Sequence, residues 1–322
     1  MKFNLIFKIK IIVLLQIFLW VGAESVLPQS NAETAEKNES LYVPVESVLP
    51  ALFIGAQPDV IQDPTGSLSS FFEKLLSLKN CNATENATVR IVHIGDSHVR
   101  SHEFTPAFNF RLTETFGNAA AGFIEGYRSE GILTESGSSG IICHCIGING
   151  ATSENFMNEK YLAEIQRLRP DLIIISLGTN ESFGKYDVSE HYALMDNLYS
   201  LIKSYCPEVP LLYTTPPGAF KTIYGRYRRK KRIYRKVIRV EENRNIEKSA
   251  STIVSFAENH RVACWDLFNI VGGESYACKN WLDGNYFQRD RVHFVRDGYV
   301  LQGNMLYEAL IASYNTYVSN KE

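Results

Sequence analysis

Short apolar runs alternate with amphipathic segments along most of the chain, and this alternation predicts its secondary structure. Apolar residues at helical spacing predict helices at 68–79, 105–116, 158–168, 188–205, 241–259 and 297–317. Runs rich in Val, Ile and Leu predict strands at 89–94, 141–146, 172–177, 209–213 and 262–265. Strands that alternate with helices are typical of a parallel sheet flanked by helices, so we expect one α/β domain with a five-stranded parallel sheet.

The N-terminal part of the chain has a different pattern. Basic residues precede an apolar run at 11–21, and small residues follow it up to Ala23. This pattern is typical of a secretory signal peptide, and the run is short for a membrane span. An uncleaved N-terminal anchor is the alternative. The next residues are polar and lack periodicity, which is typical of a flexible leader.

We therefore predict a signal peptide at 1–23, a flexible leader at 24–60 and one catalytic domain at 61–322. The protein is expected to be secreted or periplasmic, with no stable membrane insertion after cleavage.

Composition narrows the function less than the motifs do. The formal net charge of −2 argues against general nucleic-acid binding, which requires a strongly basic domain. The chain has six cysteines. Export would permit disulfides among them, and six cysteines allow 15 pairings that a sequence does not distinguish. For most of them we favour buried structural thiols.

Small polar residues follow three predicted strands. The first strand runs into Gly95-Asp96-Ser97, the second is followed by Gly150, and the third ends in Gly178-Thr179-Asn180. In a parallel sheet the carboxyl ends of the strands form the ligand crevice, so these three clusters should converge. Asp290 and His293 lie three residues apart just before the last predicted helix.

These residues, in this order, resemble the four blocks of the SGNH (GDSL-type) hydrolase superfamily. Gly95-Asp96-Ser97 is similar to the first block, Gly150 to the second, Asn180 with its preceding Gly and Thr to the third, and Asp290-x-x-His293 to the last. The resemblance runs from about residue 60 to the end of the chain. It implies a three-layer α/β/α, flavodoxin-like fold and serine esterase chemistry.

The resemblance also implies a role for each residue. Ser97 would be the nucleophile, His293 its general base and then the acid for the leaving alcohol, and Asp290 the group that orients the imidazole. The backbone N–H groups of Ser97 and Gly150 and the side-chain amide of Asn180 would form the oxyanion hole. No metal and no organic cofactor would be needed.

The first block reads Gly-Asp-Ser-His and the second Asn-Gly-Ala-Thr, and both look like those of bacterial peptidoglycan O-acetylesterases. The resemblance implies an esterase that removes acetyl or other small acyl groups from a carbohydrate, plausibly cell-wall peptidoglycan. Esterases of other glycans or of lipids, an acyltransferase with the same triad, and a catalytically silent glycan-binding protein remain alternatives. In the third block Glu181 stands where Asp often follows the Asn in the family.

A strongly basic stretch lies outside this pattern. Ten Lys and Arg residues lie between Lys221 and Arg239, interleaved with tyrosines. The stretch follows the fourth predicted strand, so it would emerge on the crevice side. Two interpretations stay open: a lid or groove wall that holds an anionic or sugar-rich polymer, or a solvated basic helix with Glu241 and Glu242 as intrahelical partners.

Overall fold

Strands and helices alternate through the part of the chain that a computed structural model describes, which comprises residues 41–80, 87–120, 136–229 and 232–321. The predicted signal peptide and the first residues of the predicted leader lie outside these ranges. In chain order the elements are β1 (Ile61–Gln62), α1 (Ser69–Lys79), β2 (Thr88–Gly95), α2 (Phe104–Phe116), β3 (Gly140–Gly147), α3 (Glu159–Arg167), β4 (Leu172–Ser176), α4 (Val188–Tyr205), β5 (Leu211–Thr214), β6 (Phe220–Arg229), β7 (Arg232–Glu242), α5 (Asn245–His260), β8 (Ala263–Trp265), α6 (Leu267–Ile270), α7 (Gly273–Asp283) and α8 (Arg296–Ser319).

The main sheet contains six strands in the order β1-β8-β5-β4-β2-β3. The five strands from β8 to β3 are parallel, which confirms the predicted parallel sheet. The short β1 adds an antiparallel edge beside β8. Because β4, β2 and β3 are direct neighbours, the loops that follow them meet at one edge of the sheet.

Alternating side chains of the strands fill two hydrophobic layers. In β4, Leu172 and Ile174 belong to one layer and Ile173 and Ile175 to the other, and all four are buried. The first layer packs against α1, α2 and α8, and the second against α3 and α4, while α5 contributes to both. A strand covered on both faces has no need of polar alternation, which is why its sequence is apolar throughout. Among the described helices, none is both long and apolar enough to cross a bilayer.

Part of the predicted flexible leader packs against the domain. The backbone of Val43 exchanges hydrogen bonds with the Asn315 side chain (3.0 and 2.7 Å), and Ile54 does the same with Asn280 (3.0 and 2.8 Å). Phe53 is buried against the Trp281 ring, with centroids 5.1 Å apart. The packed part of the chain therefore begins before residue 61, the predicted boundary.

The basic stretch is not a helix. Strands β6 and β7 form a separate two-stranded antiparallel hairpin, and α5 begins after it, at Asn245 rather than at 241. Tyrosines and β-branched residues alternate with cations here, and that pattern suits a ribbon better than a helix. The interpretation as a solvated basic helix was therefore wrong.

The five cysteines in the described ranges are all free and buried. Cys143 and Cys145 lie on the central part of β3, where burial raises the pKa of the Cys143 thiol far above its usual range. Cys81 lies outside the described residues. For these five thiols the preference for buried structural cysteines is confirmed.

Candidate active site

Ser97 lies in the turn that follows β2, which pairs with β4 on one side and with the edge strand β3 on the other. The next residues form a 3₁₀ turn from Val99 to Ser101 that folds back onto the strand. A Cβ on Gly95 would lie 2.3 Å from a Val99 methyl carbon, so only glycine allows this close approach. The turn leaves Ser97 partly exposed at the edge of the sheet while Asp96 and His98 on either side are buried.

Ser97, His293 and Asp290 form a continuous hydrogen-bonded chain. The Ser97 hydroxyl lies 2.8 Å from Nε2 of His293, and Nδ1 of the same ring lies 2.7 Å from Oδ2 of Asp290. Ser97 lies 196 residues before His293 in the sequence, but it meets His293 and Asp290 where the loop before α8 reaches the end of β2. The arrangement has the order nucleophile, base and orienting carboxylate that serine hydrolysis requires.

The Asp290 carboxylate is held in its charged form by its surroundings. Partial burial opposes ionisation, but hydrogen bonds from the His293 ring and from the backbone N–H groups of Val292 and His293 outweigh it and lower the pKa of Asp290. An ionised carboxylate at Nδ1 keeps the proton on that nitrogen and leaves Nε2 free to accept one from Ser97.

Asn180 joins the loops that follow three neighbouring strands. Its side-chain amide donates hydrogen bonds to the backbone carbonyl of Ala151 (2.9 Å) and to Oδ2 of Asp96 (3.2 Å). Gly150 is exposed, with φ at +73°, in a turn closed by a hydrogen bond from Ala151 N–H to the Ile148 carbonyl (3.1 Å). Both residues thus lie on adjacent loops at the end of the sheet where Ser97 lies, and the bond to Asp96 is the longer of the two that Asn180 donates.

Asp96 connects the nucleophile turn to Asn180. Its Oδ1 accepts a hydrogen bond from the His98 backbone N–H (2.8 Å), which spans the turn around Ser97. Burial raises the pKa of Asp96 to about 7, although hydrogen bonds and the nearby His293 act in the opposite direction. The contact with Asn180 was not predictable from the sequence, because the two residues lie in loops that follow different strands.

Glu181 is a further residue of the site that sequence reasoning passed over. Its Oε1 accepts from the backbone N–H (2.9 Å) and hydroxyl (3.3 Å) of Ser153, and its Oε2 accepts from the Gly178 N–H (3.0 Å). Burial raises the pKa of Glu181, and these hydrogen bonds lower it in part. The side chain fastens the Gly150 loop to the Asn180 loop, and the signal was an acidic residue directly after the third block.

His98 packs beneath the predicted base. Its ring lies 5.5 Å from that of His293, and its Nδ1 lies 3.1 Å from the Tyr299 hydroxyl. Burial, together with the nearby His293, lowers the pKa of His98 to about 3, so its imidazole is neutral at physiological pH. His98 therefore packs against the His293 ring without placing a positive charge beside it.

An open cleft of about 480 Å³ lies beside Ser97 and His293. Its walls carry mainly polar and charged side chains, among them Arg100, His102, Glu103, Asn149, Gln288 and Arg296. A cleft of this kind suits a polar substrate better than a long acyl chain, which needs an apolar channel.

The chain matches the family described as GDSL-like Lipase/Acylhydrolase over residues 113–301, which is more than half of its length. The matched segment contains Gly150, Asn180, Asp290 and His293 and begins after Ser97. A search of curated protein sequences finds no match.

Solved structures with a similar fold include a peptidoglycan O-acetylesterase. It has a TM-score of 0.64 and 19% sequence identity, and the superposition covers 80% of this chain and 99% of that one. An acetyl xylan esterase, AlAXEase, has a TM-score of 0.47 and 14% identity over 69% of this chain and 100% of that one. The first likeness shows a shared fold.

Proposed function

Because the chain belongs to the GDSL-like lipase/acylhydrolase family and is a carboxylic ester hydrolase, we propose that it is an exported serine esterase that removes acetyl or other small acyl groups from a carbohydrate. The observation that carries this proposal is the chain of hydrogen bonds from Ser97 Oγ to His293 (2.8 Å) and from His293 to Asp290 (2.7 Å).

In the proposed reaction His293 accepts the Ser97 proton as Oγ attacks the ester carbonyl. The tetrahedral intermediate collapses, the sugar hydroxyl leaves with the proton from His293, and the acyl group remains on Ser97. Water, activated by the same imidazole, then releases the acid and restores the serine. Asp290 stabilises the imidazolium that forms in both halves.

The negative oxygen of the intermediate needs hydrogen-bond donors. The proposed donors are the backbone N–H groups of Ser97 and Gly150 and the side-chain amide of Asn180. The side-chain amide of Asn180 already donates hydrogen bonds to the Ala151 carbonyl and to Asp96. The oxyanion would therefore share or take over the longer bond, which now goes to Asp96.

Two observations support a carbohydrate ester as substrate. The cleft beside Ser97 is lined mainly by polar side chains, which can bind sugar hydroxyls. The fold also resembles that of a peptidoglycan O-acetylesterase, which makes O-acetylated peptidoglycan the first substrate to test. Export is supported by the basic and apolar pattern of residues 1–23, and a secreted or periplasmic enzyme would meet such a polymer.

The test is acetate release from O-acetylated peptidoglycan, acetylated xylan and a small chromogenic acetate ester. We expect Ser97→Ala to abolish release from all of them, while Ser204→Ala, an exposed serine on α4, behaves as the wild type. Melting temperatures check that both variants fold. Equal turnover by wild type and Ser97→Ala, with glycan binding retained by both, would replace the esterase with a silent binding protein.

A further inference from the structure

The hairpin formed by residues 220–242, here called the basic hairpin, lies outside the main sheet. Among the described residues, its strands β6 and β7 pair only with each other, and all residues of β7 from Arg232 to Val240 are exposed. At about 3.3 Å per residue, ten paired residues make an arm on the order of 30 Å long. An arm of this length, with little of its surface buried, requires an explanation beyond stability.

Charge is concentrated on this arm. Residues 220–242 contain ten Lys and Arg against two Glu, although the whole chain carries a formal net charge of −2. The rest of the chain is therefore net negative. Lys221 and Arg239, near the base, pair with Glu241 (3.3 and 2.7 Å). In the described part of the chain no acidic side chain forms an ion pair with the outer cations Arg226, Arg228, Arg232, Arg235 and Lys236.

Large apolar side chains share the same exposed surface. Ile233 and Ile238 are 70% and 67% exposed, and five others lie between 40% and 54%: Tyr224, Tyr227, Tyr234, Val237 and Val240. The rings of Tyr227 and Tyr234 stack across the strands with centroids 5.5 Å apart. A Cβ on Gly225 would lie 2.6 Å from the Ile238 Cδ1, so this glycine lets the isoleucine lie across the ribbon. Exposed aliphatic groups at this density are typical of an interaction surface.

The combination of cations, tyrosines and aliphatic side chains on one exposed surface favours one kind of partner over another. An anionic polysaccharide would neutralise the cations but would leave Ile233 and Ile238 in water. The surface of an anionic bilayer accommodates all three groups: lipid phosphates bind Arg and Lys, tyrosines favour the headgroup region, and aliphatic side chains enter the acyl boundary. We propose that the basic hairpin docks the enzyme peripherally on an anionic lipid bilayer.

The base of the basic hairpin contacts the loop that carries Asp290 and His293. The backbone N–H of Phe220 donates to the carbonyl of Arg291 (2.9 Å), which lies between Asp290 and His293. The Phe220 ring also contacts Phe287 (5.6 Å) and the Arg291 guanidinium (5.4 Å). A docked hairpin would therefore hold the Asp290–His293 loop within the length of the arm, about 30 Å, from the bilayer, so the enzyme would act on substrate near the membrane face.

Binding to vesicles tests the electrostatic part. The full chain, inactivated by Ser97→Ala to prevent any lipid hydrolysis, is sedimented with phosphatidylglycerol-rich or phosphatidylcholine vesicles. Replacing Arg228, Arg235 and Lys236 with Gln should weaken binding to the anionic vesicles by at least about tenfold. The matched control replaces the exposed lysines Lys185, Lys248 and Lys279 with Gln and should bind as the parent does. If hairpin and control variants bind alike, the proposal is wrong.

A second pair of variants separates a bilayer from an anionic polymer. Ile233→Ser with Ile238→Ser should lose vesicle binding but keep binding to soluble dextran sulfate, whereas the control Val188→Ser with Leu282→Ser should keep both. Unchanged vesicle binding by the hairpin variant would mean that charge alone acts, and an anionic polymer would replace the bilayer as partner. Turnover of a small neutral ester, measured with Ser97 restored, should match wild type in every variant and so shows that each one folds.

A local probe shows whether the hairpin itself meets the bilayer. An environment-sensitive fluorophore is attached to Ile233→Cys in a Cys81→Ser background, where the five other cysteines are buried. Its emission should rise with phosphatidylglycerol-rich vesicles and stay unchanged with dextran sulfate. The same label at Val188→Cys, which is also exposed, should not respond. If the emission at position 233 does not rise, the proposal is wrong even when the protein sediments with the vesicles. That outcome would not bear on the proposed esterase activity.

Discussion

Asp290 holds His293 through both of its carboxylate oxygens. Oδ2 lies 2.7 Å from Nδ1 of the ring, while Oδ1 accepts hydrogen bonds from the backbone N–H groups of His293 (3.0 Å) and Val292 (2.9 Å). One side chain therefore shapes the loop and also orients the imidazole. These two contributions can be separated by the choice of substitution.

Asp290→Asn should remove the catalytic contribution and keep the loop. The amide oxygen can still accept from the backbone, but an NH₂ group facing Nδ1 favours the tautomer with its proton on Nε2, which cannot accept the Ser97 proton. In the serine protease triad the same change lowers kcat by about 10⁴, and we expect a loss of that order here. Ester turnover and melting temperature are the measurements, and the melting temperature should stay near that of the wild type.

Asp290→Ala is the matched comparison. It removes the backbone hydrogen bonds as well, so turnover should fall as far and the free energy of unfolding should also decrease, by about 1 kcal/mol. An Asp290→Asn enzyme that keeps more than a tenth of wild-type turnover would exclude the orienting role.

The parallel sheet was predictable because the burial of each strand shows in the apolar residues of that strand itself, without knowledge of distant contacts. Ile173 and Ile174 face different layers yet are both apolar, which a strand covered on both faces requires. The convergence of the loops followed from the same step, since the ends of parallel strands share one edge. The catalytic roles of the loop residues were predicted from a resemblance in four short sequence blocks rather than from the periodicity of apolar residues.

The parts that sequence reasoning missed depend on contacts between distant residues. Asn280 and Asn315 hold the segment before β1, and neither side chain marks that segment in the sequence. The basic hairpin was ambiguous because its cations and the following Glu pair also fit a solvated helix. Glu181 acts on Ser153, a residue of another loop, and only the folded chain brings the two together.

Asn180→Ala should lower turnover without weakening substrate binding. A side-chain donor to the oxyanion acts only once negative charge has developed, so its loss affects the transition state more than the bound ester. We expect kcat to fall by about 10²–10³ with little change in KM. Asn155→Ala, which removes an amide side chain that bonds Thr152 in the neighbouring loop, is the control and should leave kcat within a few fold of wild type. An equal fall in kcat for Asn180→Ala and for Asn155→Ala would contradict an oxyanion role for Asn180. A rise in KM for Asn180→Ala with no change in its kcat would contradict it as well.

Glu181→Ala should loosen the two loops that Glu181 joins. The Ser153 and Gly178 N–H groups would each lose an acceptor, and an unsatisfied buried donor costs about 1–3 kcal/mol. We expect a lower melting temperature together with a lower kcat, because Gly150 and Asn180 would no longer be held. Glu181→Gln keeps one acceptor oxygen and should recover part of both. If Glu181→Ala lowers stability but leaves kcat unchanged, the residue has no positioning role.

Asp59 should make the stability of the fold depend on pH. Its Oδ1 accepts a hydrogen bond from the Trp265 indole (2.8 Å), and burial, only partly offset by that bond, raises its pKa to about 7 from 3.8. Between those values the folded state keeps a proton that the unfolded chain releases, so the free energy of unfolding falls as pH rises from about 4 to 7, by at most about 4 kcal/mol. Asp59→Asn retains an acceptor for Trp265 and does not titrate. Urea unfolding across this range should therefore show the variant gaining stability relative to wild type as pH increases, whereas the exposed Asp283→Asn should not. A difference between Asp59→Asn and wild type that is constant with pH would mean that burial does not hold the Asp59 proton.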